Sequence, residues 1–249
     1  MPFDRHGNGR DVFVFDTSEQ LAIAGAERFV EYAQEAVTDQ DLFSVTLAGG
    51  NTPRRVYELL ATEHFTSRIK WSRVHLFFGD ERCVLPEHRD SNYGLVYSTL
   101  ISKISIPESN VHRIIGEGDA EANAQSYEIK LKSFFPRLAW PRFDLALLGM
   151  GKDGHTASLF PGDDALNEKT RWVVKTRIED LRQDRITLTV PVFNHAVHAI
   201  FLVTGRDKSE RLVEVLHGRS SPVQLPAQAI QPVNGSLVWL VDRGAASLL

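Results

Sequence analysis

Short apolar runs rich in Val, Phe, Leu and Ile alternate with longer amphipathic stretches from one end of the chain to the other. That alternation is the pattern of a parallel sheet with helices laid on it. The spacing predicts strands over Val12–Phe15, Phe43–Ala48, Val74–Phe78, Phe143–Leu148, Trp172–Lys175, Ile186–Val190, Ala199–Thr204 and Leu237–Val241. A helix is expected to open at Thr17, where Gln20 three residues on completes a capping-box pattern. Leu21, Ala24, Phe29, Tyr32, Ala33 and Ala36 would line its buried face. Further helical stretches lie near 54–62, 92–102, 119–134 and 207–217. The fold class expected is α/β: a Rossmann-like, open, mostly parallel sheet with helices on both faces. A chain of 249 residues can bury one full core. We expect a single domain over 11–249 after a flexible segment at 1–10. The proline-bearing stretches near 105–118 and 219–235 read as surface loops rather than linkers.

Charge and cysteine usage narrow the function. The formal net charge is −4, whereas a protein that grips nucleic-acid phosphates is usually basic. No nucleic-acid partner is expected. Cys83 stands alone, which rules out an intrachain disulfide and fits a reducing compartment. The apolar run Ala196–Thr204 is far too short to span a bilayer, and the segment MPFDRHGNGR has no apolar secretory core. No membrane association, a cytoplasmic location and a monomer or weak homodimer are expected.

In open parallel sheets, ligands bind beyond the carboxyl ends of strands, and four such loops carry unusual chemistry. In Ala48-Gly49-Gly50-Asn51-Thr52-Pro53, two glycines allow close backbone approach. Thr52 is the expected cap and Pro53 the first helical residue, so the helix start offers free N–H groups to an anion. Gly79-Asp80-Glu81-Arg82 places two carboxylates and a guanidinium at a strand end, a set suited to acid/base work and anion binding. Ser91 is the expected cap of the helix that follows. The third loop, Gly149 to Pro161, contains Gly149, Gly151 and Gly154 around Lys152, Asp153 and His155. It formally matches GxGxxG, but Pro161-Gly162 leaves no room for the long helix a dinucleotide site requires. Glycines that bring the backbone to a ligand, with Asp153 and His155 beside it, explain the loop better, because histidine titrates near neutrality. Finally, Arg185 opens a strand and Lys208 sits at a helix start, where a cation makes sense if an anion bridges it.

Other chemistries lack support. There is no HExxH, no paired CxxC and no GxSxG elbow. His195 and His198 form HxxH, but the second begins a strand pattern and is not expected to share a metal with the first.

Together, AGGNTP at 48–53, GDERCVLPEHRDSN at 79–92, GMGKDGHTASLFPG at 149–162, RITLT at 185–189, GRDK at 205–208 and LPAQ at 225–228 resemble the 6-phosphogluconolactonase family in order and spacing. The resemblance runs from about residue 12 to the C-terminus. Glucosamine-6-phosphate deaminases share the fold and a similar DGH loop. They typically carry Asp-Glu-Tyr where this chain has Asp80-Glu81-Arg82, and Ile-Ala-Phe-Asn-Glu where it has Thr156-Ala157-Ser158-Leu159-Phe160. Ala48 and Asn51 replace the serines common in the family's first loop, and Ile178–Asp184 lacks the prolines that often precede the Arg185 strand.

The resemblance implies hydrolysis of 6-phospho-D-glucono-1,5-lactone to 6-phospho-D-gluconate, the second step of the oxidative pentose phosphate pathway, without a metal or organic cofactor. It implies His155 as the base toward water, oriented by Asp153 or Asp80, with Glu81 as the reserve carboxylate. The backbone from Gly151 to Gly154 and Arg82 would face the oxyanion. Gly49, Gly50, Asn51, Thr52, Arg185 and Lys208 would hold the phosphate. The alternatives are a deaminase-like aldose–ketose isomerase, a non-catalytic sugar-phosphate sensor and a pseudoenzyme. The sensors carry an added DNA-binding domain for which this chain has no spare basic region. Intact Asp153 and His155 speak against the last.

Overall fold

The structure, a computed structural model, describes residues 3–6, 10–178 and 183–249. In chain order its elements are β1 (Phe3–His6), β2 (Arg10–Phe15), α1 (Ser18–Gln40), β3 (Phe43–Leu47), α2 (Asn51–Leu60), α3 (Glu63–Thr66), β4 (Val74–Phe78), β5 (Asp80–Arg82), α4 (Asn92–Thr99), β6 (Val111–His112), α5 (Ala120–Phe134), β7 (Leu145–Gly149), β8 (Val173–Ile178), β9 (Gln183–Leu188), α6 (Val190–Asn194), β10 (His198–Val203), α7 (Ser209–His217) and β11 (Ser236–Asp242). Short 3₁₀ turns connect several of them.

Helix α1 starts where its cap was read. Thr17 is extended, and its hydroxyl accepts from the Gln20 amide at 3.2 Å. Gln20 reaches back to the Asp16 amide at 3.1 Å, one residue before the cap. Leu21, Phe29, Tyr32 and Ala33 are buried as expected, while Ala24 and Ala36 stay partly exposed at the margin of the stripe. Gly25 lets α2 come close: a Cβ there would lie 3.1 Å from Val56 Cγ2.

The main sheet has the order β1-β2-β11-β10-β7-β3-β4-β6. Every pairing in it is parallel except β1 with β2. All residues of β3 are buried, so both faces of that strand are covered. Phe201 and Trp239 stack at 3.9 Å between neighbouring strands β10 and β11. The sheet thus takes in Phe3–His6 from the segment set apart as 1–10; residues 1–2 and 7–9 of that segment lie outside the described residues.

Two of the expected strands do not join this sheet. The Trp172–Lys175 and Ile186–Val190 patterns become β8 and β9, which pair antiparallel with each other and with β5 in a separate three-stranded sheet. The apolar runs marked them as strands but could not mark their partner, because β5 is the polar triplet Asp-Glu-Arg. Residues 179–182, within the proline-free segment noted above, lie outside the described residues.

The chain moves from β3 outward to β4 and β6, then returns to β7 and continues in the opposite direction to β10 and β11. The reversal falls between β3 and β7. A crevice at the carboxyl ends of strands opens at such a switch point.

Candidate active site

Three chemistry-bearing loops follow β7, β3 and β4, and Lys208 follows their neighbour β10; together with Arg185, which lies within β9 of the small sheet, they meet in one cleft of about 170 Å³. It is lined by Gly49, Gly50, Asn51, Thr52, Asp80, Arg82, Asn92, Gly151, His155, Arg185 and Lys208 among others.

After β3 the chain turns through Gly50 at φ 101°, a left-handed backbone that favours glycine. Helix α2 begins at Asn51, one residue before the expected cap, and Gly50 supplies no capping side chain. Thr52 does not cap. Its hydroxyl lies 2.7 Å from that of Thr204 at the end of β10, tying two cleft loops together. The first-turn N–H groups of α2 are left without side-chain competition at the cleft.

Asp80 and Arg82 leave β4 on the short strand β5, which pairs Asp80 with Thr187 and Arg82 with Arg185. Alternation along a strand sends Asp80 and Arg82 to one face and Glu81 to the other. The cleft lining follows this rule, since Glu81 does not reach it. Both Glu81 oxygens are taken: Oε1 accepts from the amides of Arg82 and Asn92 at 2.8 and 2.7 Å, Oε2 from the Tyr93 amide at 2.7 Å and Ser91 Oγ at 3.2 Å. Burial pushes its carboxyl upward while these amide bonds pull it down. Glu81 therefore anchors the start of α4, and its assignment to the catalytic set is corrected. Ser91 caps α4 as read, accepting from the Gly94 amide at 3.0 Å.

Each Asp80 oxygen also has a partner, Ser158 Oγ at 2.6 Å and Asn92 Nδ2 at 3.1 Å, and neither is His155. The carboxylate that meets the imidazole is Asp153: its Oδ1 lies 2.6 Å from His155 Nδ1 and accepts the His155 amide at 3.1 Å. Burial works against charge on Asp153, but the hydrogen bond and charge of His155 outweigh it and hold the carboxyl below its usual range. Gly151 makes room for this pair, since a Cβ there would stand 2.2 Å from the His155 ring and 2.7 Å from Asp153 Oδ1. The loop consists of turns, with no helix opening from it. Its closure consumes two N–H groups expected at the oxyanion: Gly151 N donates to the His155 carbonyl at 2.9 Å and Gly154 N to the Gly151 carbonyl at 3.1 Å. The backbone donors read at those two residues are thus withdrawn from that role.

Arg82 and Arg185 stand side by side. Arg82 Nη1 donates to the Asp90 carbonyl at 2.6 Å and Arg185 Nη2 to Gln183 at 3.1 Å, yet the buried Nε of each has no hydrogen-bond partner. Burial and the like charge of Arg82 both lower the pKa of Arg185. Lys208, just before α7, has its ammonium pushed down by burial. Three cations line one small cleft, and two of them have an unspent donor that an anion can accept from. The Phe160 ring packs 4.4 Å from His155 and lies 5.7 Å from the Arg185 guanidinium.

Sequence reasoning missed Asn92, which enters the cleft from the first turn of α4, and Ser158 behind Asp80. No local signal marks either, because their roles come from contacts across the fold. LPAQ at 225–228 proves to be an anchor: Ala227 N donates to the Gly154 carbonyl at 2.9 Å. His195 and His198 bond to Pro191 O and Ser236 Oγ respectively. Among the described residues no group of three or more His, Cys, Asp or Glu side chains is arranged to hold a metal, and no helix is long and apolar enough to cross a membrane.

Residues 16–239 match the family described as glucosamine-6-phosphate isomerases/6-phosphogluconolactonase. A 6-phosphogluconolactonase of Synechocystis is 39% identical over 218 residues, covering 86% of this chain and 88% of that protein. The structure of 6-phosphogluconolactonase from Trypanosoma brucei superposes with a TM-score of 0.86 at 29% identity, over 96% of this chain and 98% of that one. A monomeric glucosamine-6-phosphate deaminase gives a TM-score of 0.80 at 23% identity over 96% of this chain and 99% of that one, a likeness of fold alone.

Proposed function

The chain belongs to the glucosamine-6-phosphate isomerase/6-phosphogluconolactonase family, and we propose that His155 is the general base with which its cleft hydrolyses 6-phospho-D-glucono-1,5-lactone. The product is 6-phospho-D-gluconate. The observation that carries the role of His155 is its pairing with Asp153 at the mouth of an anion-binding cleft. With Nδ1–H donated to Asp153, Nε2 keeps its lone pair for water. As water loses its proton and attacks C1, the imidazolium that forms is stabilised by the adjacent carboxylate. The same proton then returns to the departing ring oxygen, so acid and base are one residue.

Charge on the substrate fits the cations. The developing oxyanion at C1 is assigned to Arg82, and the phosphate to Arg185, Lys208 and the start of α2 at Gly49–Thr52. Asp80 serves the site as a fixed hydrogen-bond acceptor rather than as the orienter of His155. Cytosolic action as a monomer or weak homodimer completes the proposal.

The test is initial hydrolysis of freshly generated lactone, read through coupled 6-phosphogluconate dehydrogenase with spontaneous hydrolysis subtracted. His155→Ala should lose about 10²–10⁴-fold in rate. A variant that keeps its turnover would remove His155 from the base role.

A further inference from the structure

Ser158 lies three residues after His155, is fully buried, and makes two hydrogen bonds to the small sheet. Its hydroxyl donates to Asp80 Oδ2 at 2.6 Å, and its amide donates to Thr187 Oγ1 at 3.4 Å. Asp80 and Thr187 are direct partners across β5 and β9, and the next same-face pair of that ladder is Arg82 with Arg185. Side chains two apart on a strand share a face and stand about 6.5–7 Å apart. One face of a two-strand ribbon therefore carries the Ser158 anchors at one step and both guanidiniums at the next.

From this geometry we infer that Ser158 is a positioning residue of the reaction, fixing the His155 loop at a set distance from the arginine pair. The inference rests on the reading of His155 as base.

Three further features fit a built joint. Asp80 cannot swing away, because Asn92 Nδ2 holds its other oxygen at 3.1 Å. The turn that delivers Ser158 is strained, with Ala157 in the left-handed region at φ 48°. Thr156 and Leu159 bridge across that turn, so the loop enters and leaves Ser158 on fixed rails. Packing alone would be met by alanine in the same space. A hydroxyl aimed at a carboxylate beside the cleft acts on the spacing between a base and the charges it works with, and errors near 1 Å in such spacing cost about 10²-fold.

The test compares wild type, Ser158→Ala, His155→Ala and the double variant, with thermal unfolding of each recorded. Ser158→Ala should lower kcat about 10–100-fold and leave KM within about 3-fold, since the phosphate-binding groups stay in place. Added to His155→Ala it should cost nothing more, because it acts through the imidazole. Unchanged kcat in folded Ser158→Ala, or an equal further loss in the His155→Ala background, overturns the inference while leaving the base reading intact. Full turnover by His155→Ala overturns both. Should Ser158→Ala fail to fold, Thr187→Val removes the second anchor and should show the same loss of kcat at constant KM in smaller measure.

Discussion

A Cβ added to Gly151 would stand 2.2 Å from the ring of His155, so the smallest residue in the loop sets the place of its most reactive side chain. The atoms in the way belong to the side chains of His155 and Asp153 rather than to backbone, and Gly151 does not take a left-handed φ. Gly151→Ala is therefore expected to fold with its melting temperature nearly unchanged and to push the imidazole off Asp153. Turnover should fall about 10²-fold. The check pairs thermal unfolding with the coupled lactone assay. A variant that is both stable and fully active would show that the imidazole works from another rotamer.

Arg185 offers a second test. Its guanidinium is buried beside Arg82, and its Nε has no partner. An anion between the two relieves like-charge repulsion and spends the idle donors, which a lysine ammonium cannot do in the same planar geometry. Arg185→Lys should raise KM for the lactone by about 10-fold or more, with a smaller change in kcat. Inorganic phosphate at millimolar concentration should raise the melting temperature of the wild type and do so much less for the variant. Equal protection of both would place the phosphate elsewhere in the cleft.

Gly49 tests the neighbouring wall. A Cβ there would fall 1.8 Å from Asn92 Oδ1, an atom held in place because Asn92 Nδ2 is bonded to Asp80 and the Asn92 amide to Glu81. Unlike the His155 ring, this amide cannot turn away without breaking buried hydrogen bonds. Gly49→Ala should therefore cost about 1–3 kcal/mol of stability as well as activity. Urea unfolding separates it from Gly151→Ala, which should show the kinetic loss alone.

The contrast between these glycines shows what a sequence does and does not carry. Six of the eight strands of the main sheet were legible because buried strands are written as apolar runs, whereas the edge strands β1 (Phe3–His6) and β6 (Val111–His112) carry no such run; the loops after β3, β4, β7 and β10 were legible because glycine, histidine and arginine are costly there without a use. The small sheet was not, since β5 is polar and becomes a strand only through its pairing with β9. Glu81 could not be told from Asp80 by type or spacing. Their opposite fates depend on strand alternation, and so on first knowing that residues 80–82 are a strand. The Thr52 cap failed for a similar reason: Gly50 takes the cap position two residues earlier, and Thr204, far away in sequence, claims the hydroxyl.

Acid stability should depend on a pair of histidines remote from the cleft. His75 Nδ1 and His112 Nε2 lie 3.1 Å apart, so one ring donates its N–H to the other, and the ring that accepts must be neutral. The His112 ring also stacks on Phe77 with centroids 4.2 Å apart. Burial, then the charges of His75 and Lys130, lower His112 to about 4, and burial lowers His75. In the unfolded chain both rings titrate near their usual value of about 6.5. Between that value and about 4 the unfolded state holds more protons, so stability rises with pH across this window. It is fully present above the unfolded value and is lost as pH falls toward the folded one. An unscreened shift of this size corresponds to about 3 kcal/mol, and partial exposure of the ring reduces it to about 1–2 kcal/mol. Urea unfolding from about pH 7 down to 4 should show this loss. His112→Phe, which keeps the stacking and removes the proton site, should flatten the slope. An equally steep slope in His112→Phe would assign the acid sensitivity to other groups.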